Sequence, residues 1–334
     1  MAPHMNFSKG INLGGWLSQY RIYDLTHFES FINEEDLERI ASWGLDHVRL
    51  PVDYPVLESQ TEEGGFEVAG FSYIDRCLGW CRQRDLDLII DLHNAPGYDF
   101  DNWQAITLFD DPSLLERFIN IWAAIARHYQ GTANIAFELL NEIMIPDSKP
   151  WNQLVRDAIA TIHSIDPDHL IILGGNHHNQ ANELQYLDFY ETDKVRYTFH
   201  HYHPMVVTHQ KAYWSHWLKD LAYSVDYPGI YPDIAAFGNR DIGKRMDRDM
   251  LEEYLQPAID FSRQTGKRLY CGEFGVVDQA PMPTRVNWTR DMLSLFDQHN
   301  IGWALWSYKA MDFGLVDKNG KVISPGLIDL ISQR

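Results

Sequence analysis

The sequence predicts a single α/β chain closed into a (β/α)8 TIM barrel, and three observations predict it. Short apolar runs alternate eight times with longer stretches of helical periodicity. No linker or break in composition divides the 334 residues. No Gly-x-Gly-x-x-Gly or phosphate loop follows any run, so the usual fingerprint of a doubly wound nucleotide-binding sheet, the competing architecture, is missing.

The predicted strands are Gly10–Gly15, His47–Val52, Leu86–His93, Ile135–Glu142, His169–Gly175, Val195–Tyr202, Arg268–Gly275 and Gly302–Lys309. Most are nearly continuous in Ile, Leu, Val and Phe, as parallel strands covered on both faces require. Among the helices between them, Asn33 caps one with Asp36 at its third position, and Asp111 opens another with Pro112 at the first helical residue. In that second helix Leu115, Phe118, Ile119, Trp122, Ile125 and Tyr129 form one apolar stripe before Gly131. Further helices are expected over Ser72–Arg84, Trp151–Ser164, Arg248–Thr265 and Arg285–His299, with a short connection at Ala181–Asp188. The long inserts, 53–71, 94–110 and 203–247, all follow strands and precede helices. They therefore extend the loops of one face, the C-terminal face where such barrels place their chemistry.

Composition narrows the functional classes. With 47 Asp+Glu against 28 Lys+Arg, the net charge of −19 repels phosphate backbones and anionic lipid, so neither nucleic acid nor a membrane surface is an expected partner. Aromatic residues make up 13%, a surplus that suits flat apolar ligands such as sugar rings. The three cysteines read as thiols, with one of Cys77 and Cys81 facing the core of a helix. No membrane-length apolar run or signal-peptide pattern is found, and Met1–Met5 reads as a vector-derived tail before a catalytic barrel over 6–334. A cytoplasmic location is the corresponding expectation. Subunit number is left open by these features.

Polar residues end the apolar strands: Arg49, His93, Asn141 with Glu142, His200 with Tyr202, and Glu273, followed by Trp306 on the last. An unpartnered polar group at such a position costs about 1–3 kcal/mol, so a whole set on one rim points to a site rather than to packing. Glutamates on strands four and seven face each other across the mouth, as two-carboxylate glycoside hydrolysis requires. Arg49 and the Tyr202 hydroxyl favour an ionised Glu273, whereas Glu142 beside neutral Asn141 lacks such a cation. Glu142 is therefore expected to be the acid/base and Glu273 the nucleophile. Trp306 is placed to stack on a pyranose ring. The histidines His177, His178, His200, His201, His203 and His209 lack metal-site spacing, and no metal is expected.

In order and spacing these strings resemble glycoside hydrolase family 5, the cellulase-like branch of the barrels. They are Gly10-Ile11-Asn12-Leu13-Gly14-Gly15-Trp16, Val48-Arg49-Leu50-Pro51, Asp91-Leu92-His93, Leu140-Asn141-Glu142, His200-His201-Tyr202, Gly272-Glu273-Phe274-Gly275 and Leu305-Trp306-Ser307. The resemblance implies a retaining β-glycosidase that forms a covalent glycosyl-enzyme and needs no cofactor. Asn141 would grip the sugar 2-hydroxyl, with Arg49, His93, His200 and Tyr202 around the subsite, Trp306 beneath it, and His201 the variable member of the His-x-Tyr string. The expected substrate is a β-1,4-linked gluco- or manno-oligosaccharide, as for a β-mannosidase or cellulase. An exo-β-1,3-glucanase, an endoglucanase and a non-catalytic sugar-binding barrel are the alternatives. Lys309, Asp312, Asp53, Trp103, Trp214 and Trp217 are candidates for closing one end of the cleft.

Overall fold

The computed structural model describes residues 5–59, 65–234 and 241–333, apart from the side chains of residues 101 and 103. Eight strands occupy the eight predicted places: β1 (Lys9–Asn12), β2 (His47–Asp53), β3 (Asp87–Asn94), β4 (Ile135–Glu138), β5 (Leu170–Gly174), β6 (Val195–His201), β7 (Tyr270–Phe274) and β8 (Gly302–Leu305). Each pairs in parallel with its neighbours in chain order, and β1 closes against β8. Four of the polar strand ends belong to the turns that follow: β4 stops at Glu138, so Asn141 and Glu142 lie beyond it, as do Tyr202 beyond β6 and Trp306 beyond β8.

The helices form where side-chain spacing and end chemistry agree. Asn33 and Asp36 make a reciprocal capping box on Glu34–Ser42. Asp111 accepts from Ser113 at the start of Pro112–His128, whose Phe118, Trp122 and Ile125 are buried, each contributing about 1.5–3 kcal/mol. Leu115 and Ile119 at the edge of that stripe are only partly covered. The helix Val68–Arg82 buries both Cys77 and Cys81, rather than the one thiol expected; they are free, as is buried Cys271. A short antiparallel pair, Gly229–Ile230 with Arg245–Met246, lies within the insert after β6 and was not anticipated. Among the described residues no helix is long and apolar enough to cross a membrane. Of the expected tail, residues 1–4 lie outside the described residues. Met5 packs under the barrel, and Arg196 donates to its carbonyl at 3.1 Å.

The packing changes character along the barrel axis. Near the N-terminal ends of the strands, Phe7, Ile89, Ala136, Leu170, Ile172, Tyr270 and Ala304 form one apolar cluster. Two residues further along β3 and β4 the same faces present Asp91 and Glu138, both fully buried. The switch from hydrocarbon to charge inside one strand is the local reason a site forms at that height.

Candidate active site

Arg49, on β2, is the centre of this charged layer. Its guanidinium donates to both oxygens of Glu138 at 2.8 and 2.9 Å and pairs with Asp91 at 3.0 Å. It also donates to Glu273 Oε1 at 2.6 Å and to the side-chain oxygens of Asn12 and Asn141, each at 3.0 Å. Burial disfavours the cation, but the three carboxylates outweigh it and hold Arg49 firmly protonated. Burial in turn raises the Glu138 carboxyl in spite of Arg49. Asp91 has a second task, meeting His93 Nδ1 at 2.6 Å. Burial opposes the imidazolium there, yet Asp91 raises His93 above the usual histidine range.

Glu273 is gripped from both sides, since Tyr202 donates its hydroxyl to Oε2 at 2.9 Å. Burial, then the charges of Glu273 and Glu142, push the Tyr202 phenol well up, so it remains a donor. The β6/β7 ladder shifts register between Phe199 and His200, at the rung where His200 comes opposite Glu273. At Gly272 an added Cβ would lie 2.9 Å from Thr198 Oγ1 and 3.3 Å from His200 Nε2, so glycine leaves the barrel interior to the imidazole.

Glu142 is presented by the turn after β4, with a left-handed φ of 43°. The turn is tied to both neighbouring strands, by Asn141 N on Leu92 O at 3.0 Å and Leu139 N on Ile172 O at 3.2 Å, while Tyr98 donates to the Glu142 carbonyl at 2.5 Å. The Glu142 carboxyl meets His200 Nδ1 through Oε1 at 2.8 Å and His178 Nδ1 through Oε2 at 3.1 Å. Asn179 Nδ2 lies 3.4 Å from the other nitrogen of His200. With that amide donating to Nε2, the His200 proton sits on Nδ1 and points at Glu142.

The sequence-based reason for calling Glu142 the acid/base is thereby corrected. Its neighbourhood was expected to lack a cation, but a histidine from the turn after β5 and another from β6 both reach it. Burial alone would raise the Glu142 carboxyl; the hydrogen bonds from His178 and His200 prevail and hold it well below the usual carboxylate range. The two glutamates differ instead in the kind of partner each has. Glu273 is gripped by a guanidinium and a phenol, with His200 Nδ1 3.6 Å from Oε2, and Glu142 by two imidazoles.

All eight residues expected from the sequence meet in this one place. One carboxylate oxygen of Glu142, one of Glu273 and a nitrogen of His200 lie within 4.8 Å of one another. That trio also has metal-ligand spacing, although Arg49 already supplies the positive charge that Glu273 faces. Trp306 is 5% exposed and parallel to the His93 ring at 6.0 Å; a Cβ on Gly14 would come within 2.8 Å of its indole. Two buried polar atoms at the mouth, Asn141 Nδ2 and His93 Nε2, have no hydrogen-bond partner among the described residues. His201 points the other way along β6 and stacks on Trp288.

Asp91, Glu138, Asn12 and His178 are not among the site residues expected from the sequence, although Asn12 and Asp91 stand in the family strings and His178 among the histidines weighed for a metal. For Asp91 and Glu138 a signal exists, because charge inside an apolar parallel strand requires a buried partner. For His178 there is none, since it lies on an irregular turn. Of the cleft-closing candidates, Lys309 is buried on Asp36 and the Phe31 carbonyl, and Asp53 is buried under Asn94 and Gln19. Trp214 and Trp217 are exposed; the side chain of Trp103 lies outside the described residues.

A closed barrel with two carboxyls facing each other across the C-terminal mouth of its strands is the architecture of a glycoside hydrolase. The model of the cellulase family (glycosyl hydrolase family 5) matches residues 9–312, and the chain belongs to that family. It is 41% identical to endoglucanase C of Acetivibrio thermocellus over 99% of each chain. It is 37% identical to cellodextrinase A of Ruminococcus flavefaciens over 88% of this chain and 83% of that one. Among solved structures, Thermotoga maritima Cel5A in complex with mannotriose superposes with a TM-score of 0.80 over 98% of both chains at 24% identity, a likeness of fold.

Proposed function

We propose that the protein hydrolyses β-1,4-linked gluco-oligosaccharides with retention of configuration, Glu273 acting as nucleophile and Glu142 as acid/base. The observation that carries this reading is the approach of the two carboxyls to within 4.8 Å. Inverting chemistry needs about 6.5–9.5 Å to admit a water, whereas direct attack uses about 5 Å. The preference for glucosides rests on similarity to proteins named endoglucanase and cellodextrinase.

In the first half of the reaction Glu273 Oε attacks the anomeric carbon while the bond to the leaving oxygen breaks and Glu142, protonated in the substrate complex, passes its proton onto that oxygen. In the second half Glu142, now a carboxylate, takes a proton from water as the water oxygen bonds to the anomeric carbon and the ester to Glu273 breaks. Arg49 and Tyr202 fix the attacking carboxylate. Asn141 Nδ2 and His93 Nε2 are donors available to sugar hydroxyls, and the indole of Trp306 packs parallel to the His93 ring beside them.

A 2-deoxy-2-fluoro cellobioside tests the covalent step: mass spectrometry is expected to find the glycosyl group on Glu273, and labelling elsewhere overturns the assignment. Glu142→Ala should keep turnover of a dinitrophenyl cellobioside and be rescued by azide, with Glu273→Ala inactive on every substrate. Faster cleavage of mannotriose than of cellotriose would reverse the substrate preference.

A further inference from the structure

Beyond the eight residues expected from the sequence, one further titratable side chain touches a reacting carboxyl. His178 lies in the turn that follows β5, its side chain 42% exposed and its Nδ1 3.1 Å from Glu142 Oε2. The turn that carries it holds three successive non-glycine residues in the left-handed region, His177, His178 and Asn179, at φ of 48°, 59° and 54°. Such conformations persist only where the surroundings dictate them. Here the surroundings are the residues just after Glu142: His178 N donates to Ile143 O at 3.1 Å, and the Asn176 side chain accepts from Ile145 N at 3.0 Å and donates to Ile145 O at 2.7 Å. The two turns are therefore joined into one unit, and the joint aims an imidazole at one oxygen of the carboxyl.

We propose that His178 is a positioning residue for the acid/base: with His200 on the opposite oxygen it fixes the plane of the Glu142 carboxyl and presents an oriented donor, Nδ1, to Oε2. The inference rests on the reading of Glu142 given above. His178 and His200 differ in reach. His200 also lies 3.6 Å from Glu273 Oε2, so its loss disturbs both carboxyls, whereas the contacts of Glu273 run to Arg49, Tyr202 and His200. The titratable groups facing Glu142 are His178, His200 and His209 together with Tyr98, Tyr202 and Glu273. The hydrogen bond from His178 and that from His200 both favour the carboxylate against burial. When the Glu142 proton moves to the leaving oxygen, the carboxylate left behind is met at once by an oriented donor, which lowers the barrier of that step alone.

The test uses two variants suited to a left-handed backbone. His178→Gly removes the side chain, and His178→Asn places an amide nitrogen near the position of Nδ1 without a titrating ring. Each is assayed on aryl β-cellobiosides of graded leaving-group acidity and across pH. His178→Gly should lose on the order of tenfold or more in kcat/KM on the poorest leaving groups and almost nothing on the dinitrophenyl substrate. The alkaline limb of its kcat profile, which reports loss of the Glu142 proton in the substrate complex, should move to higher pH, and His178→Asn should recover most of the rate. Equal losses on all leaving groups with an unmoved alkaline limb would reduce His178 to a structural residue and overturn the proposal. Glu142→Ala is run alongside. If it shows neither leaving-group dependence nor azide rescue, the acid/base assignment itself has failed; if it shows both and His178→Gly shows neither effect, the positioning role alone has failed.

Discussion

Replacing Arg49 with lysine keeps a positive charge at the centre of the barrel but takes away the shape that uses it. The guanidinium serves six acceptor atoms: both oxygens of Glu138, Asp91 Oδ2, Glu273 Oε1, Asn12 Oδ1 and Asn141 Oδ1. An ammonium has about three donors, so at least about three of these acceptors lose their partner inside the protein. At about 1–3 kcal/mol for each buried unpaired group, the variant loses about 3–9 kcal/mol, a large part of a typical total of about 5–15. With an unfolding entropy of about 2.1 cal/mol/K per residue, the midpoint should fall by about 4–13 °C. Loss of the 2.6 Å contact to Glu273, worth about 1.5–3 kcal/mol as a charged hydrogen bond, should cost about 10–150-fold in kcat/KM. Scanning calorimetry measures the first quantity, and turnover of a dinitrophenyl cellobioside, which needs no acid, measures the second. A midpoint within about 1 °C of the parent together with a rate within about twofold would refute the claim that one guanidinium holds this layer together.

Two further outcomes follow from other parts of the molecule. Burial lifts the Asp53 carboxyl from its ordinary 3.8 to about 6, against the pull of His93 and the donors Gln19 and Asn94. A folded-state value above the unfolded one means the ionised form costs stability, by about 3 kcal/mol above pH 6, fading to nothing below about pH 4. Asp53→Asn should therefore melt higher than the parent at pH 7 and level with it at pH 4; an equal gain at both pH values would exclude this cause. Trp214 is 45% exposed and its ring lies 6.2 Å from Phe313, which in turn lies 6.0 Å from Tyr202 beside Glu273. Trp214→Ala should raise KM for cellotetraose roughly two- to tenfold and leave the dinitrophenyl cellobioside untouched, as measured by initial rates; equal changes for both would remove Trp214 from the cleft.

Much of this arrangement is legible in the sequence because the barrel is assembled from one repeated decision. Each strand must be apolar to be covered on both faces, so a polar residue near its end stands out, and His93, His200 and Glu273 are found that way, whereas Arg49 lies inside β2, four residues before its end. Asn141, Glu142, Tyr202 and Trp306 were found by the same rule although the ladder ends before them, since the chain continues in the direction of the strand. Asp91 and Glu138 were passed over because they lie inside runs whose average is apolar; the period-two placement of Ile89, Asp91 and His93 was the signal that could have revealed them. His178 was illegible for a different reason. Its placement depends on three left-handed residues and on hydrogen bonds to Ile143 and Ile145, tertiary facts that no local pattern of histidines encodes. The error about Glu142 came from the same blind spot: the sequence gives its covalent neighbour, Asn141, and the chemistry is set by imidazoles that arrive from elsewhere.

The closure of β1 against β8 has a bearing on how the enzyme is born. Asn12 steers Arg49 and at the same time donates to the carbonyls of Gly272, Ala304 and Leu305, while Gly14 makes room for Trp306. These two margins lie nearly three hundred residues apart in the chain, so the layer around Arg49 gains its last neighbours only when the final strand is in place. Closing the barrel and completing the site are therefore one event, since the seam between first and last strands carries the residue that steers Arg49.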